Sequence, residues 1–129
     1  MNVGIYSFET LEVQKINMID SQVKKRFKDV EKVYVYSENT LKQEISQRVG
    51  LRKMLKDYKN KKISIIVLEN MKALGTEFYL QSMILKKLMK NNNKFYILDI
   101  GVDSTSKDGI EFINTLISIG EWTIYWKIE

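Results

Sequence analysis

The 129 residues fit one domain and suffice to bury a sizeable core without disulfides. Cysteine and histidine are both absent, which excludes disulfide and thiolate chemistry, imidazole acid–base catalysis and the usual zinc sites. The formal net charge of +5 permits weak attraction to nucleic acid without requiring it. Because no apolar run approaches the roughly 20 residues that cross a bilayer and no basic segment leads into an apolar stretch, we expect a soluble cytoplasmic protein.

The first half of the chain alternates between strand and helix periodicity. Residues 3–7 predict a short strand, and apolar residues recur at helical spacing over residues 11–27. Residues 33–36 are β-branched or aromatic and predict a second strand. One apolar stripe predicts a second helix and consists of Leu51, Met54, Leu55 and Tyr58.

The second half continues the same alternation. Residues 63–68 form a nearly continuous apolar run, which is typical of a strand covered on both faces. A third helix is predicted over residues 80–88, a fourth strand over residues 95–98 and a last helix over residues 107–121. The order βαβαβαβα predicts a three-layer α/β domain, in which a mainly parallel sheet of four to five strands has helices on both faces.

The last predicted helix carries apolar side chains on two faces. Its stripes are Ile110, Ile113 and Ile117 on one side, and Phe112, Leu116 and Ile119 on the other. Either the helix is fully buried in a small domain, or its second face forms a dimer or partner interface, which we favour. The apolar residues 123–128 predict a short strand or an extended tail.

Ligands of open α/β sheets gather beyond the carboxyl ends of the strands. Four carboxylates follow the predicted strands, and Glu9, Glu38, Glu69 and Asp99 offer the oxygen ligands that Mg²⁺ prefers. The alternative, which we favour, is that they are solvated loop carboxylates near helix N-termini. No glycine spacing typical of phosphate-binding loops is present, and we expect neither a metal nor a cofactor.

Basic residues crowd the ends of the first two helices. The two clusters are Lys24, Lys25, Arg26 and Lys28, and Lys56, Lys59, Lys61 and Lys62. The helix dipole favours lysine at these positions in any protein. The alternative is a surface that contacts nucleic-acid phosphates weakly, with an affinity that falls steeply with salt.

Five short strings occur in order along the chain, at residues 3–10, 18–22, 48–51, 72–76 and 103–109. Together they resemble the catalytic domain of the resolvase/invertase family of serine site-specific recombinases. The family's opening strand, roughly (I/V)-G-Y-x-R-V-S-T, matches VGIYSFET at residues 3–10, and its S-I-x-x-Q matches MIDSQ at residues 18–22. Its R-x-x-L matches RVGL at residues 48–51, its D-R-L-G-R falls on KALGT at residues 72–76, and its D-T-S-T-x-x-G resembles DSTSKDG at residues 103–109. The resemblance spans about residues 3–121 and implies a single resolvase-like domain over residues 1–129. Since little sequence remains beyond it, we expect no helix-turn-helix module of the kind that the family appends.

The resemblance also implies which residues stand at the family's active-site positions. The family serine attacks a DNA phosphate, and surrounding arginines stabilise the charge that develops. In this matching Glu9 stands at the position of the family nucleophile, and Ser7 stands at the position of the arginine two residues before it. The D-R pair becomes Lys72 and Ala73, and the later arginine becomes Thr76. Glu38 matches the acidic residue after the second strand, and Arg48 clearly matches a family arginine.

These departures predict a domain that no longer catalyses strand exchange by the family mechanism. We therefore expect a dimerisation or regulatory module in DNA recombination, which forms a homodimer or pairs with an active recombinase through the helix at residues 107–121. Arg48 is then a relic or a structural partner of Glu38. The alternatives are a residual strand-exchange enzyme that depends on Arg48, and a magnesium-binding, receiver-like domain.

Overall fold

The computed structural model describes residues 1–38 and 44–128, with side chains described up to Thr123. The strands are β1 (Asn2–Ser7), β2 (Lys32–Ser37), β3 (Ile65–Leu68), β4 (Phe95–Ile97) and β5 (Val102–Asp103). The helices are α1 (Val13–Arg26), α2 (Val49–Lys59), α3 (Phe78–Lys90) and α4 (Lys107–Ile128). Two short 3₁₀ helices, Ile45–Gln47 and Met71–Leu74, precede α2 and α3.

The sheet has the strand order β2-β1-β3-β4-β5. The first four strands are parallel, and β5 pairs antiparallel with β4 through Ile97 and Val102. The predicted α/β class, with a mainly parallel sheet and helices on both faces, is confirmed. The sequence pattern missed β5 because a two-residue strand is too short to show a period.

Strand alternation divides the interior into two apolar clusters. Val3, Ile5 and Val67 lie on one face of the sheet, where they pack with residues of α1. The opposite face carries the larger cluster, in which Tyr6 and Leu68 pack among residues from α2, α3 and α4. Because successive side chains of a strand point to opposite faces, these short strands serve both clusters at once.

The last helix corrects two expectations. It continues to Ile128 and does not end near residue 121, so the strand or extended tail expected at residues 123–128 is wrong. β-branched and aromatic residues favour strands, but here they extend a helix that is already formed, and propagation is easier than nucleation.

No helix of the described residues has the length and apolar character to cross a membrane.

The alternative of a fully buried α4 is also wrong. Ile113 is fully buried, and Gly120 lies so close to α3 that an added Cβ would stand 2.2 Å from the Ser82 Cβ. The other side of α4 is open, since Phe112 and Ile119 are 43% and 47% exposed. The helix therefore packs on α3 with one face and leaves the other accessible.

Candidate active site

A cavity of about 600 Å³ lies beyond the carboxyl ends of β1 and β3. Parallel strands place the residues that follow them at one edge of the sheet. The loop after β1 and the short helix Met71–Leu74 form much of the wall, which includes Ser7, Glu9, Thr10, Lys72, Ala73 and Thr76. Five of the predicted family positions therefore meet at this edge.

Glu38 follows β2 directly and is 6% exposed. Its carboxylate accepts hydrogen bonds from the backbone N–H groups of Gly50 and Leu51, each at 2.9 Å, and from the Tyr6 hydroxyl at 2.7 Å. The first two donors belong to the amino end of α2, where unpaired N–H groups and the helix dipole favour a negative charge. Glu38 therefore links β1, β2 and α2 through these hydrogen bonds.

The Gly50 position has no room for a side chain. A Cβ there would stand 2.4 Å from the Ser37 carbonyl oxygen and 2.9 Å from a carboxylate oxygen of Glu38. The close approach of α2 to the end of β2 therefore requires glycine, and it brings the helix N-terminus within reach of Glu38.

Tyr6 is fully buried between these groups. Burial raises the pKa of its phenol, and the hydrogen bond to Glu38 and the charge of that carboxylate raise it further, while the nearby Arg48 acts in the opposite direction. The phenol is therefore protonated at neutral pH and serves as a donor to Glu38.

Arg48 is buried, with 1% of its surface exposed. Its Nη1 donates to the carbonyl oxygen of Leu74 at 2.5 Å, and its guanidinium lies 4.6 Å from the centre of the Phe8 ring. The backbone of Gly75, whose φ is 138°, passes so close that a Cβ would stand 2.8 Å from Nη2. The side chain with the clearest family match is thus enclosed by Phe8 and by the turn at residues 74–75.

The remaining predicted positions are divided between surface and interior. Ser7 ends β1 and is 7% exposed, whereas Glu9, Lys72 and Thr76 are exposed. Ala73 is buried, and its carbonyl oxygen accepts a hydrogen bond from the Phe8 N–H at 2.7 Å. This backbone contact fixes the loop after β1 against the short helix Met71–Leu74.

Sequence reasoning missed two features of the cavity. Lys15 of α1 contributes an ammonium group that lies 2.7 Å from the Glu69 carboxylate, a contact between residues far apart in the chain. Thr10 contributes an exposed hydroxyl whose Oγ1 donates to the Glu38 carbonyl oxygen at 3.2 Å. The family motif contained a signal for it: aligning the motif tyrosine on Tyr6 places Phe8 at the arginine and Thr10 at the serine.

The alternative of a magnesium site finds no support in the geometry. Within the residues that the structure describes, no three aspartate or glutamate side chains are grouped so that they could hold a metal ion. Glu38 accepts from Tyr6 and α2, and Glu69 pairs with Lys15. The carboxylates that follow the strands therefore do not converge on one ligand site.

We expect Glu38→Ala to lower the free energy of unfolding by about 3–5 kcal/mol, because it leaves two buried N–H groups and a buried hydroxyl without their acceptor. Urea denaturation followed by tryptophan fluorescence measures this loss. The matched control is Glu9→Ala, which removes an exposed carboxylate and should change stability by no more than about 0.5 kcal/mol. Equal effects of the two substitutions would contradict the role assigned to Glu38.

Comparisons with known proteins identify the fold. The chain is similar to the N-terminal catalytic domain of TP901-1 integrase, with 18% identity, coverage of 98% of each chain and a TM-score of 0.74. It is also similar to a resolvase family site-specific recombinase from Streptococcus pneumoniae, with 17% identity, coverage of 99% of this chain and 93% of that chain, and a TM-score of 0.64.

A search of curated proteins finds no match. The family described as "Resolvase, N terminal domain" matches residues 7–123, most of the sequence. With its sheet, its cavity and this match in agreement, the chain belongs to the resolvase N-terminal domain family and has the serine recombinase catalytic-domain fold.

Proposed function

We propose that this chain is a catalytically inactive serine recombinase domain that acts as a dimerisation or regulatory module in DNA recombination. The observation that carries the proposal is the position of Arg48, which is buried against Phe8 and donates to the Leu74 carbonyl oxygen. A guanidinium in that position has no access to a DNA phosphate.

The charges around the cavity also oppose phosphate binding. Lys15 is paired with Glu69, while the exposed Glu9 and Glu12 add negative charge to the wall. Lys72 supplies one ammonium group, which lacks the bidentate geometry of arginine. Since each oxyanion donor contributes roughly 3–4 kcal/mol to transition-state stabilisation, replacing several arginines removes most of the family's electrostatic catalysis.

The choice of nucleophile does not restore the family mechanism. A carboxylate at Glu9 would repel a phosphodiester. Thr10, the other candidate, has a hydroxyl in the cavity, and this observation favours the residual-enzyme alternative. However, Phe8 precedes it where the family has arginine, and no arginine lines the described cavity wall. An attacking hydroxyl would therefore face an uncompensated phosphate charge.

We expect no nicked, recombined or covalently protein-linked DNA when the purified protein is incubated with supercoiled plasmid, because no exposed guanidinium group is among the described residues that line the cavity. Denaturing gel electrophoresis of the plasmid and of labelled DNA measures both products. A covalent species that persists in Glu9→Ala and disappears in Thr10→Ala would contradict the proposed inactivity and would assign the reaction to Thr10.

The partner surface that we propose lies on the exposed side of α4. Phe112, Ile119 and Trp122 are 43%, 47% and 63% exposed and recur at helical spacing on one side of the helix. Leu116 lies half-buried beside them. A second copy of this helix, or the corresponding helix of an active recombinase, would cover this stripe and remove its apolar surface from water.

We expect the protein to dimerise, and Phe112→Glu combined with Ile119→Glu to shift it to monomer, because the two charges would be buried against apolar side chains. Sedimentation velocity across a concentration series measures the shift. The matched control is Asn114→Glu with Asn17→Glu, which adds the same charge at exposed positions outside this stripe and should leave the dimer intact. A strict monomer at several hundred micromolar, or equal effects of both pairs, would contradict self-association through this stripe.

A further inference from the structure

A second cavity, of about 950 Å³, lies at the opposite edge of the sheet from the active-site cavity. It is formed where α2 and α3 end and where the chain enters β3 and β4. Five lysines line it, and we call it the lysine cleft: Lys56, Lys59, Lys61, Lys87 and Lys94. None of the residues matched to the family's active-site positions is among those that line it.

The five lysine side chains are exposed, and within the described part of the chain none of them forms an ion pair. Among the described residues that line the cleft there is no aspartate or glutamate. Asp57 belongs to the same helix end, but its carboxylate accepts from the Tyr36 hydroxyl at 2.7 Å and lies 3.8 Å from the Lys62 ammonium. The cleft therefore carries a concentrated positive charge that the described carboxylates do not neutralise.

The helix dipole explains only part of this charge. Lys56 and Lys59 lie in the last turn of α2, and Lys87 in the last turn of α3, where cations are favoured in any helix. Lys61 and Lys94 lie beyond the helix ends, in the loops that lead into β3 and β4. These two lysines add charge to the same cleft, although they do not lie in a last helical turn, where the unpaired carbonyl groups favour a cation.

The floor of the cleft is apolar and aromatic. Ile63 is buried and Leu55 and Tyr58 are half-buried, whereas the lysines that line the same cleft are exposed. The Tyr58 hydroxyl accepts a hydrogen bond from the backbone N–H of Lys94 at 3.0 Å, which fixes the ring relative to the loop before β4. Asn93 adds a polar group to the wall. An apolar floor with a cationic rim suits a ligand that has both a flat ring and phosphate groups.

We infer that the lysine cleft binds a single-stranded nucleic-acid segment, with phosphates on the lysines and a base against Tyr58 and Leu55. Positive grooves with aromatic walls bind single strands through phosphate contacts and base stacking. An unpaired strand fits better than a duplex, because stacking between neighbouring base pairs covers the ring faces that the floor would contact. This inference goes beyond the proposed regulatory role and does not depend on the loss of catalysis.

The test measures the affinity of the protein for a labelled twelve-nucleotide oligothymidylate by fluorescence anisotropy. With five phosphate contacts, the affinity should fall about a hundredfold between 50 and 200 mM salt, since each contact to a single strand contributes about 0.7 to the slope of log affinity against log salt. Lys59→Ala combined with Lys94→Ala should weaken binding at least tenfold at low salt and reduce that slope by about 1.4. An abasic strand of equal length should bind about tenfold more weakly, because it cannot stack.

The matched control is Lys53→Ala with Lys107→Ala, which removes two exposed lysines outside the cleft. This variant should bind within about twofold of the unsubstituted protein, because binding depends on the charges of the cleft and not on the charge of the whole surface. Circular dichroism spectra of both double variants confirm that each is folded. Four results would each overturn the inference: no binding at 50 mM salt, equal losses in the two double variants, equal binding of the abasic strand, or tighter binding of a twelve-base-pair duplex.

Discussion

The carboxylate of Glu38 lies at the amino end of α2 and holds three elements together through three hydrogen bonds. A buried carboxylate is stable only when such donors replace its hydration, so α2 must begin at this point relative to β2. The start of α2 in turn places Arg48 beside Tyr6 and under Phe8. The arginine that best preserves the family pattern is thereby built into the interior. The backbone fold is thus that of the family, while the guanidinium of Arg48 makes its contacts inside the domain.

Charge is distributed unequally between the two edges of the sheet. At the carboxyl ends of the strands, Glu9 and Glu69 offset Lys15 and Lys72 around a cavity without an exposed guanidinium group in the described residues. At the other edge, the lysine cleft concentrates cations over an apolar floor. Because the two edges are separated by the length of the strands, a phosphate chain would be attracted to one end of the domain and discouraged at the other. The inactivity that we propose for the cavity and the nucleic-acid contact that we propose for the lysine cleft are therefore compatible in one molecule.

Most of the architecture could be predicted from the sequence, because strand and helix periods alternate clearly and parallel crossovers follow from that order. The acidic residue after β2 could be located in the same way. The surroundings of Arg48 could not, since they depend on Phe8 and on a carbonyl oxygen 26 residues away. The Lys15–Glu69 pair likewise joins residues that no local pattern connects. The extension of α4 was missed because residues 123–128 have a composition that favours a strand, while the preceding helix determines their conformation.

The role of Arg48 is the central claim, and substituting it with methionine tests that claim most directly. Arg48→Met keeps the length of the apolar stem while removing the charge and the hydrogen bond to Leu74. If Arg48 is a buried structural residue, Arg48→Met should lower the free energy of unfolding, measured in urea, by about 3–5 kcal/mol. The control Arg52→Met, on the exposed side of α2, should change it by no more than about 0.5 kcal/mol. Unchanged stability of Arg48→Met, together with weaker binding to DNA, would place the guanidinium in the active-site cavity and contradict this account.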